Sequence, residues 1–338
     1  MRSDDVLILR GDEVDALLTG CEQEVMQAVE RAYVAHSRGF SSLPHSTFLR
    51  FPNDDLNRII ALPAYLGDGF DLAGMKWVAS FPGNVKQGMA RASAVLILND
   101  AHTGFAQAIL ESSLINARRT AASAALAARL LRQGQETETA GLIGTGVIND
   151  ETARYLAAAL PGLRRFVLFD LDRERAESLA GRLRQRFGEG KTIEVATAVE
   201  TLYRESQVVA FATTAIKPHV SDLSACPKGA TILHTSLRDL EPQLILANDN
   251  IVDDADHVSR ANTSIHLAEQ LTGNRDFIRG TIADLAQGTA PAKRDPEALS
   301  IVSPVGLGVL DLAVGQLARE RAEAQGVGTR ISGFLPTA

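Results

Sequence analysis

The order of apolar and polar residues divides the chain into two textures. Residues 13–38 carry apolar positions at spacings of three and four, which predicts an amphipathic helix interrupted near Gly20. Residues 40–112 instead hold β-rich runs separated by Gly, Pro and Asn, and the segment from Asp100 to Gly104 predicts a hairpin turn. We therefore expect a helix followed by an antiparallel or mixed sheet in the first part of the chain.

After this region, short apolar runs alternate with helical segments. An Ala/Leu-rich helix is predicted over residues 120–133, with Gly134 as its stop. The predicted strands then cover 140–143, 166–169, 193–196, 208–212, 230–235 and 250–252, and the predicted helices cover 147–159, 173–187 and 306–325. Strands that alternate with helices indicate a parallel sheet covered on both faces, so this part belongs to the α/β class.

Composition and charge reduce the number of functional classes to which the chain can belong. The 338 residues favour about two domains. The formal net charge of −7 is spread without a basic block, so we expect no nucleic-acid partner. No apolar run is long enough for a membrane span and the first residues lack a signal-peptide pattern, so we expect no membrane partner and a cytoplasmic location. The two cysteines and seven histidines form no metal-binding spacing, so no metal is expected.

The sharpest local motif is a glycine-rich turn between a predicted strand and a predicted helix. Gly144-Thr145-Gly146-Val147-Ile148 matches the start of the dinucleotide fingerprint G-x-G-x-x-G/A. The first glycine permits the tight turn, and the second lets backbone N–H groups approach a pyrophosphate at the helix N-terminus. The third fingerprint position holds Asn149 instead of Gly or Ala.

An acidic residue follows at the spacing that this motif requires. Asp170 ends the next strand, 24 positions after Gly146 (146 to 170). A carboxylate at this position accepts hydrogen bonds from the adenosine ribose hydroxyls and repels a 2′-phosphate. The cofactor is therefore predicted to be NAD, while Arg173 and Arg175 keep NADP open as an alternative.

Longer sequence motifs elsewhere in the chain resemble those of a known protein family. Lys76 in AGMKW, the run RASAVLILND over 91–100 and SLINARRTAASAALAA over 113–128 resemble the ornithine cyclodeaminase/μ-crystallin family across nearly the whole chain. KWVASFPGN, RASAVLILND and RTAASA are most similar to its 2,3-diaminopropionate-biosynthesis branch. Members of that branch oxidise N-(1-amino-1-carboxy-2-ethyl)-glutamate with NAD and release 2-oxoglutarate and 2,3-diaminopropionate.

The resemblance implies a specific domain organisation. A split α+β domain, residues 1–125 with 311–338, would bind the amino-acid substrate and form a homodimer. Residues 126–310 would form the Rossmann-type nucleotide domain. Both expectations fit the sheet-rich start, βαβ middle and helical end of the chain.

The resemblance also implies roles for single residues. Lys76 would hold the substrate carboxylate or act near the reacting nitrogen, and the guanidinium of Arg119 would bind a carboxylate at the edge of the cofactor site. One or both of Arg50 and Arg58 would supply further cations for a branch substrate with three carboxylates. Arg118 is expected to be a solvated neighbour.

The remaining candidates face the cofactor or the reacting water. Thr120, Thr213, Thr214 and Gly306 are predicted to line the nucleotide, together with the glycine-rich turn. Asp239, after the strand at 230–235, is the candidate base that activates water for attack on an imine. The match to the family is approximate there, because the glycines that precede the family's aspartate are absent.

Four functions stay open at this point. The first is oxidative cleavage of an opine-like secondary amine, and the second is the redox-neutral conversion of L-ornithine to L-proline and ammonia. The third is an imine reductase or alanine dehydrogenase. The fourth is a μ-crystallin-like binding protein without turnover. Net accumulation of NADH separates the first from the second, and absence of any turnover identifies the fourth.

Overall fold

A computed structural model describes residues 5–335 of the chain. The chain divides into two compact units. The first unit runs to Arg119 and resumes at Leu307, and the second covers Thr120–Gly306.

The first unit is built on a mixed sheet. Its strands are β1 (Val6–Leu9), β2 (Ser41–Ser42), β3 (Thr47–Phe51), β4 (Asp54–Leu66), β5 (Leu72–Ser80), β6 (Ala92–Asp100), β7 (Ala106–Glu111) and β16 (Thr329–Ile331). Its helices are α1 (Gly11–Leu18), α2 (Glu22–Ser37), the start of α3 (Ser113–Leu131) and α11 (Gly308–Gln325). The order is β16-β1-β7-β6-β5-β4-β2, with β3 paired to β4, and only β1 and β7 run parallel.

Helix α11 covers one face of this sheet because three glycines let it approach. A Cβ at Gly74 of β5 would lie 2.3 Å from the Ile97 carbonyl oxygen and 2.7 Å from Leu312. A Cβ at Gly315 of α11 would lie 2.3 Å from Leu96, and one at Gly308 would lie 3.2 Å from Ala64. A Cβ at Gly74 or Gly315 would force the neighbouring atoms to shift, and one at Gly308 would be tightly packed.

The second unit is a doubly wound α/β domain. Its strands are β8 (Thr139–Ile143), β9 (Arg165–Phe169), β10 (Thr192–Val195), β11 (Val208–Phe211), β12 (Thr231–His234), β13 (Asp249–Val252), β14 (Ile278–Thr281) and β15 (Ser300–Ser303). Its helices are α4 (Val147–Ala159), α5 (Arg173–Phe187), α6 (Val199–Glu205), α7 (Pro242–Ala247), α8 (Ala255–Val258), α9 (Ser264–Thr272) and α10 (Ile282–Gln287).

Every strand pair in the second sheet is parallel, in the order β10-β9-β8-β11-β12-β15-β13-β14. From β8 the chain adds strands first towards one edge of the sheet (β9, β10) and then, from β11, towards the other edge. Folds of this kind bind a dinucleotide at the point between β8 and β11 where this order reverses. The predicted α/β class with a Rossmann-type domain is confirmed.

Several predicted elements need correction. The helix predicted over 120–133 begins at Ser113, because the Glu111 carboxylate accepts hydrogen bonds from the backbone N–H groups of Ser113 (2.7 Å) and Leu114 (3.3 Å). The helix predicted from residue 306 begins at Gly308. The sequence interpretation missed the strands β1, β14, β15 and β16, each of three or four residues. Among residues 5–335, no helix has the length and apolar character needed to cross a membrane.

Candidate active site

The first unit buries a compact charged cluster where β5, α3 and α11 meet. Lys76 of β5 donates from Nζ to Asp311 Oδ2 at 2.7 Å and to Asn116 Oδ1 at 2.8 Å. Arg119 donates from Nε to Asp311 Oδ1 at 3.1 Å and from Nη2 to Asn116 Oδ1 at 2.7 Å. The Lys76 and Asp311 side chains are 1% and 0% exposed, so both charges are shielded from water.

The cluster holds two cations around one carboxylate. Burial lowers the pKa of Lys76 to about 8, and the Arg119 charge acts in the same direction, while Asp311 opposes both. An ammonium with a pKa near 8 exchanges its proton close to neutral pH. The site therefore offers a cationic pocket and a titratable amine at the same place.

Two of these residues come from the first turns of α3. Asn116 and Arg119 are three residues apart, so they lie on the same side of the helix. These two hydrogen bonds use the Nε hydrogen and one Nη2 hydrogen of Arg119. The Nη1 hydrogens and the other Nη2 hydrogen take no part in them and lie at the end of the guanidinium. That end suits a bidentate carboxylate. Thr120 follows half-buried on the same helix.

The structure pairs the two other candidate arginines. Arg50 of β3 and Arg58 of β4 are directly opposite each other in the antiparallel register. Arg58 and Leu62 share one face of β4, and Leu62 is opposite Lys76 in β5. Arg58 and Leu62 are four positions apart along β4, which corresponds to about 13 Å. Arg50 is exposed, with its guanidinium 5.7 Å from the Phe48 ring centre.

The glycine-rich turn of the second unit has the geometry that a dinucleotide requires. Gly144 has a φ of +82°, and a Cβ there would lie 2.5 Å from the Ala212 carbonyl oxygen. A Cβ at Gly146 would meet no protein atom within 4 Å, which leaves room for a ligand to approach the backbone. No side chain caps α4 at Gly146, and Val147 is 61% exposed, with Ile148 half-buried. The first N–H groups of α4 therefore suit a pyrophosphate.

Asp170 lies beside this turn at the end of β9. Its Oδ2 accepts from the Thr145 N–H at 2.8 Å and from Thr145 Oγ1 at 2.7 Å, and its Oδ1 accepts from the Asp172 N–H at 3.1 Å. Burial opposes its charge, but these bonds outweigh burial and lower the pKa of Asp170. A cleft of about 240 Å³ opens beside it, lined by Leu171 and Thr197 among others. These residues fit the adenosine end of NAD.

Asp239 is held in a different way, inside the second unit. Its side chain is 0% exposed, and its carboxylate accepts from the hydroxyls of Thr213 and Ser236. Its backbone N–H donates to His234 Nε2 at 3.1 Å, which fixes that nitrogen as an acceptor. Burial opposes its charge, but the hydrogen bonds around the carboxylate outweigh burial and lower the pKa of Asp239. The structure thus shows a fixed carboxylate, and its role in activating water stays a prediction.

The remaining candidates differ in environment. Thr214 is exposed after β11, next to Thr213. Gly306 has a φ of +85°, and its N–H donates to Asp253 Oδ2 at 2.7 Å. The expectation that Arg118 is solvated is wrong. Arg118 is 1% exposed, because its guanidinium donates to Asp15 in α1 and to the Thr19 hydroxyl just after that helix.

Sequence reasoning missed Asn116, Asp311 and His234. Asn116 lies inside the quoted SLINARRT string, three residues before Arg119, but the late helix start hid that relation. Asp311 is the one charged residue in the apolar run GVLDLAVG, a pattern that marks a paired buried charge. No local signal distinguishes His234.

Comparison with known proteins identifies the family. The model of the ornithine cyclodeaminase/mu-crystallin family matches residues 7–326, so the chain belongs to this family. It is 26% identical to the N-((2S)-2-amino-2-carboxyethyl)-L-glutamate dehydrogenase of Staphylococcus aureus, over 97% of this chain and 98% of that protein. It is 28% identical to the alanine dehydrogenase of Archaeoglobus fulgidus, over 98% and 99%.

A solved archaeal alanine dehydrogenase dimer with bound NAD has a TM-score of 0.85 at 25% identity, covering 97% of this chain and 99% of that one. The family resemblance expected from the sequence is confirmed. These relatives are dehydrogenases, and one holds NAD, in agreement with the predicted oxidoreductase and cofactor.

Proposed function

We propose that this protein is an NAD-dependent oxidoreductase that acts on the CH–NH bond of an amino acid. The observation that carries the proposal is the buried cluster of Lys76, Asn116, Arg119 and Asp311. It combines a cationic carboxylate site with an amine whose pKa is about 8. The Gly144–Ile148 turn and Asp170 supply the nucleotide site.

Each residue has a defined task in this reaction. The end of the Arg119 guanidinium binds the substrate α-carboxylate. The substrate nitrogen must lose its extra proton before the α-hydrogen can leave with its electron pair, and neutral Lys76 accepts that proton. Bound NAD supplies the acceptor for the hydride. Asp311 balances the charge of Lys76 as the proton arrives.

We propose the opine-like substrate N-(1-amino-1-carboxy-2-ethyl)-L-glutamate. Oxidation of its secondary amine gives an imine, and addition of water to that imine, assisted by Asp239, gives 2-oxoglutarate and L-2,3-diaminopropionate. Arg50 and Arg58 support this choice, because two opposed guanidiniums on the Lys76 face suit the additional carboxylates. Alanine has no second carboxylate for them.

The test is NADH formation with this conjugate beside L-ornithine and L-alanine, with products identified by mass. We expect stoichiometric NADH, 2-oxoglutarate and 2,3-diaminopropionate from the conjugate. The variant R50Q/R58Q should raise the KM for the conjugate about tenfold or more and leave any slow L-alanine turnover unchanged. Proline from L-ornithine without net NADH would instead identify a cyclodeaminase.

The pH profile tests the task of Lys76. The neutral amine is the reactive form, so kcat/KM should rise with pH and level off above about 8. A profile that falls as the pH rises through 8 would show that the ammonium is required, and Lys76 would then be a carboxylate ligand only.

We also propose a homodimer formed through the first unit. Tyr65, Trp77 and Val95 lie on the sheet face opposite α11 and are 39%, 40% and 41% exposed, and Trp77 and Val95 are cross-strand partners. An exposed apolar sheet face suits a second copy, and a similar protein was solved as a dimer. Sedimentation should show a dimer that the variants W77K and V95E convert to a monomer. A monomeric wild type would refute this assembly.

A further inference from the structure

Asn149 occupies the third position of the dinucleotide fingerprint, where a small residue is usual. A glycine or alanine at that position permits close packing between the helix and the first strand. Asn149 is larger and polar, yet it is 0% exposed in the first turn of α4. A buried asparagine in this position needs hydrogen-bond partners.

The side-chain amide of Asn149 bridges the two central strands of the second unit. Its Nδ2 donates to the carbonyl oxygens of Ile143 at 2.9 Å and Gly144 at 2.7 Å, at the end of β8. It also lies 3.3 Å from the carbonyl oxygen of Ala210 in β11. The bridge therefore crosses the place where the strand order of the sheet reverses.

The bridge fixes the turn that presents the phosphate-binding N–H groups. Gly144 adopts a φ of +82° and passes so close to β11 that a Cβ would lie 2.5 Å from Ala212. Asn149 donates to the carbonyl oxygen of this same glycine. Meanwhile Asn149 Oδ1 is buried with no hydrogen-bond partner among the described residues, an arrangement that opposes stability.

We propose that Asn149 is a positioning residue for the cofactor, which holds the Gly144–Ile148 turn in the conformation that binds the pyrophosphate. This inference rests on the proposed NAD binding at that turn. Asn149 performs with hydrogen bonds the task that close packing performs in the usual fingerprint.

The chain contains a matched control. Asn250 in β13 is also 0% exposed, and its Nδ2 also donates to two backbone carbonyl oxygens, those of Ile245 (2.7 Å) and Asn248 (2.9 Å), and lies 3.3 Å from a third, that of Phe277. Its Oδ1 likewise has no partner among the described residues. N149A and N250A therefore remove the same interactions from the same unit, but only the first touches the turn.

The experiment measures the NADH dissociation constant, the melting temperature and the amino-acid KM of wild type, N149A and N250A. We expect N149A to weaken NADH binding about tenfold, the size of one net hydrogen bond, with an unchanged amino-acid KM. N250A should lower the melting temperature similarly and leave NADH binding unchanged. N149S retains one donor and should bind NADH with intermediate affinity, which also tests the proposal if N149A does not fold.

The outcomes distinguish failure of this inference from failure of the proposed function. If both alanine variants bind NADH as wild type does, or both weaken equally, Asn149 is structural only and the inference is wrong. If wild-type protein itself binds no NADH, the proposed function fails first.

Discussion

Two buried carboxylates, one in each unit, are stabilised by opposite means. Asp311 lies between two cations, Lys76 and Arg119, at 2.7 and 3.1 Å. Asp239 accepts from two neutral hydroxyls and lies 3.3 Å from His234 Nε2. Burial lowers the pKa of His234, so that imidazole is neutral at physiological pH. Thus Asp311 is part of a charge network, and Asp239 is an anion whose hydrogen-bond partners are neutral.

The difference indicates separate chemical tasks. A carboxylate between cations compensates charge as a proton moves onto or off Lys76, and its loss disturbs every member of the cluster. A carboxylate held by hydroxyls keeps its own charge and orientation, as a general base requires. Four substitutions test the tasks assigned to residues of the two units, beginning with these two carboxylates.

The largest expected effect is that of Asp239→Asn. If Asp239 activates water only after the imine forms, steady-state turnover should fall about 10²–10⁴-fold. A pre-steady-state burst of NADH should survive with an amplitude near one per active site, because hydride transfer precedes the affected step. Stopped-flow fluorescence measures both quantities.

Two results would change this assignment. Absence of the burst with intact substrate binding would assign Asp239 to deprotonation of the substrate nitrogen, the step otherwise assigned to Lys76. Unchanged turnover would make it a structural residue of the turn.

Asp311→Asn should cause the next largest effect, on stability as well as on catalysis. Two buried cations lose their counter-charge, so the free energy of unfolding in urea should fall by ~3–5 kcal/mol. Asp311 also raises the pKa of Lys76, so the pH midpoint of kcat/KM should move below about 8. The exposed pair Lys228–Glu297 is the control, and E297Q should cost under ~1 kcal/mol. An unshifted midpoint would separate Asp311 from the Lys76 proton.

Arg119→Lys should have an intermediate effect confined to the first unit. A lysine cannot reproduce the bonds of the guanidinium to Asp311 and Asn116 while also binding a carboxylate in two places. The KM for the amino acid should rise by the equivalent of ~1.5–3 kcal/mol, with NAD affinity within a few-fold of wild type. Isothermal titration with NAD, run in parallel, would reveal the contrary case, in which only cofactor binding is lost and Arg119 belongs to the nucleotide site.

Asp170→Ser should have the smallest effect, confined to the second unit. Removing this carboxylate removes its repulsion of a 2′-phosphate, so the kcat/KM ratio should shift towards NADP by ~1–2 kcal/mol. Steady-state kinetics with both cofactors measures the shift. A wild-type preference for NADP would show that Asp170 does not select the cofactor.

The local pattern predicted much of the second unit. The helices at 147–159 and 173–187 lie at their predicted bounds, and the strand at 208–212 ends one residue early, at Phe211. Hydrophobic period and glycine positions decide such elements locally. The start of α3 escaped prediction because its cap is Glu111, a residue of the preceding strand. That error left both Asn116 and Arg119, which share one helix face, outside the predicted helix.

By itself, the sequence determined the α/β class, the family, the glycine-rich turn and the identity of Lys76 and Arg119 as candidates, because these depend on short-range pattern and characteristic strings. Only the tertiary structure brought Asp311 to Lys76 across 235 positions and Asn149 to the carbonyls of two strands. Such pairings depend on which elements pack together. The need to give every buried charge or amide a partner acts on the folded chain and leaves no periodic trace in its sequence.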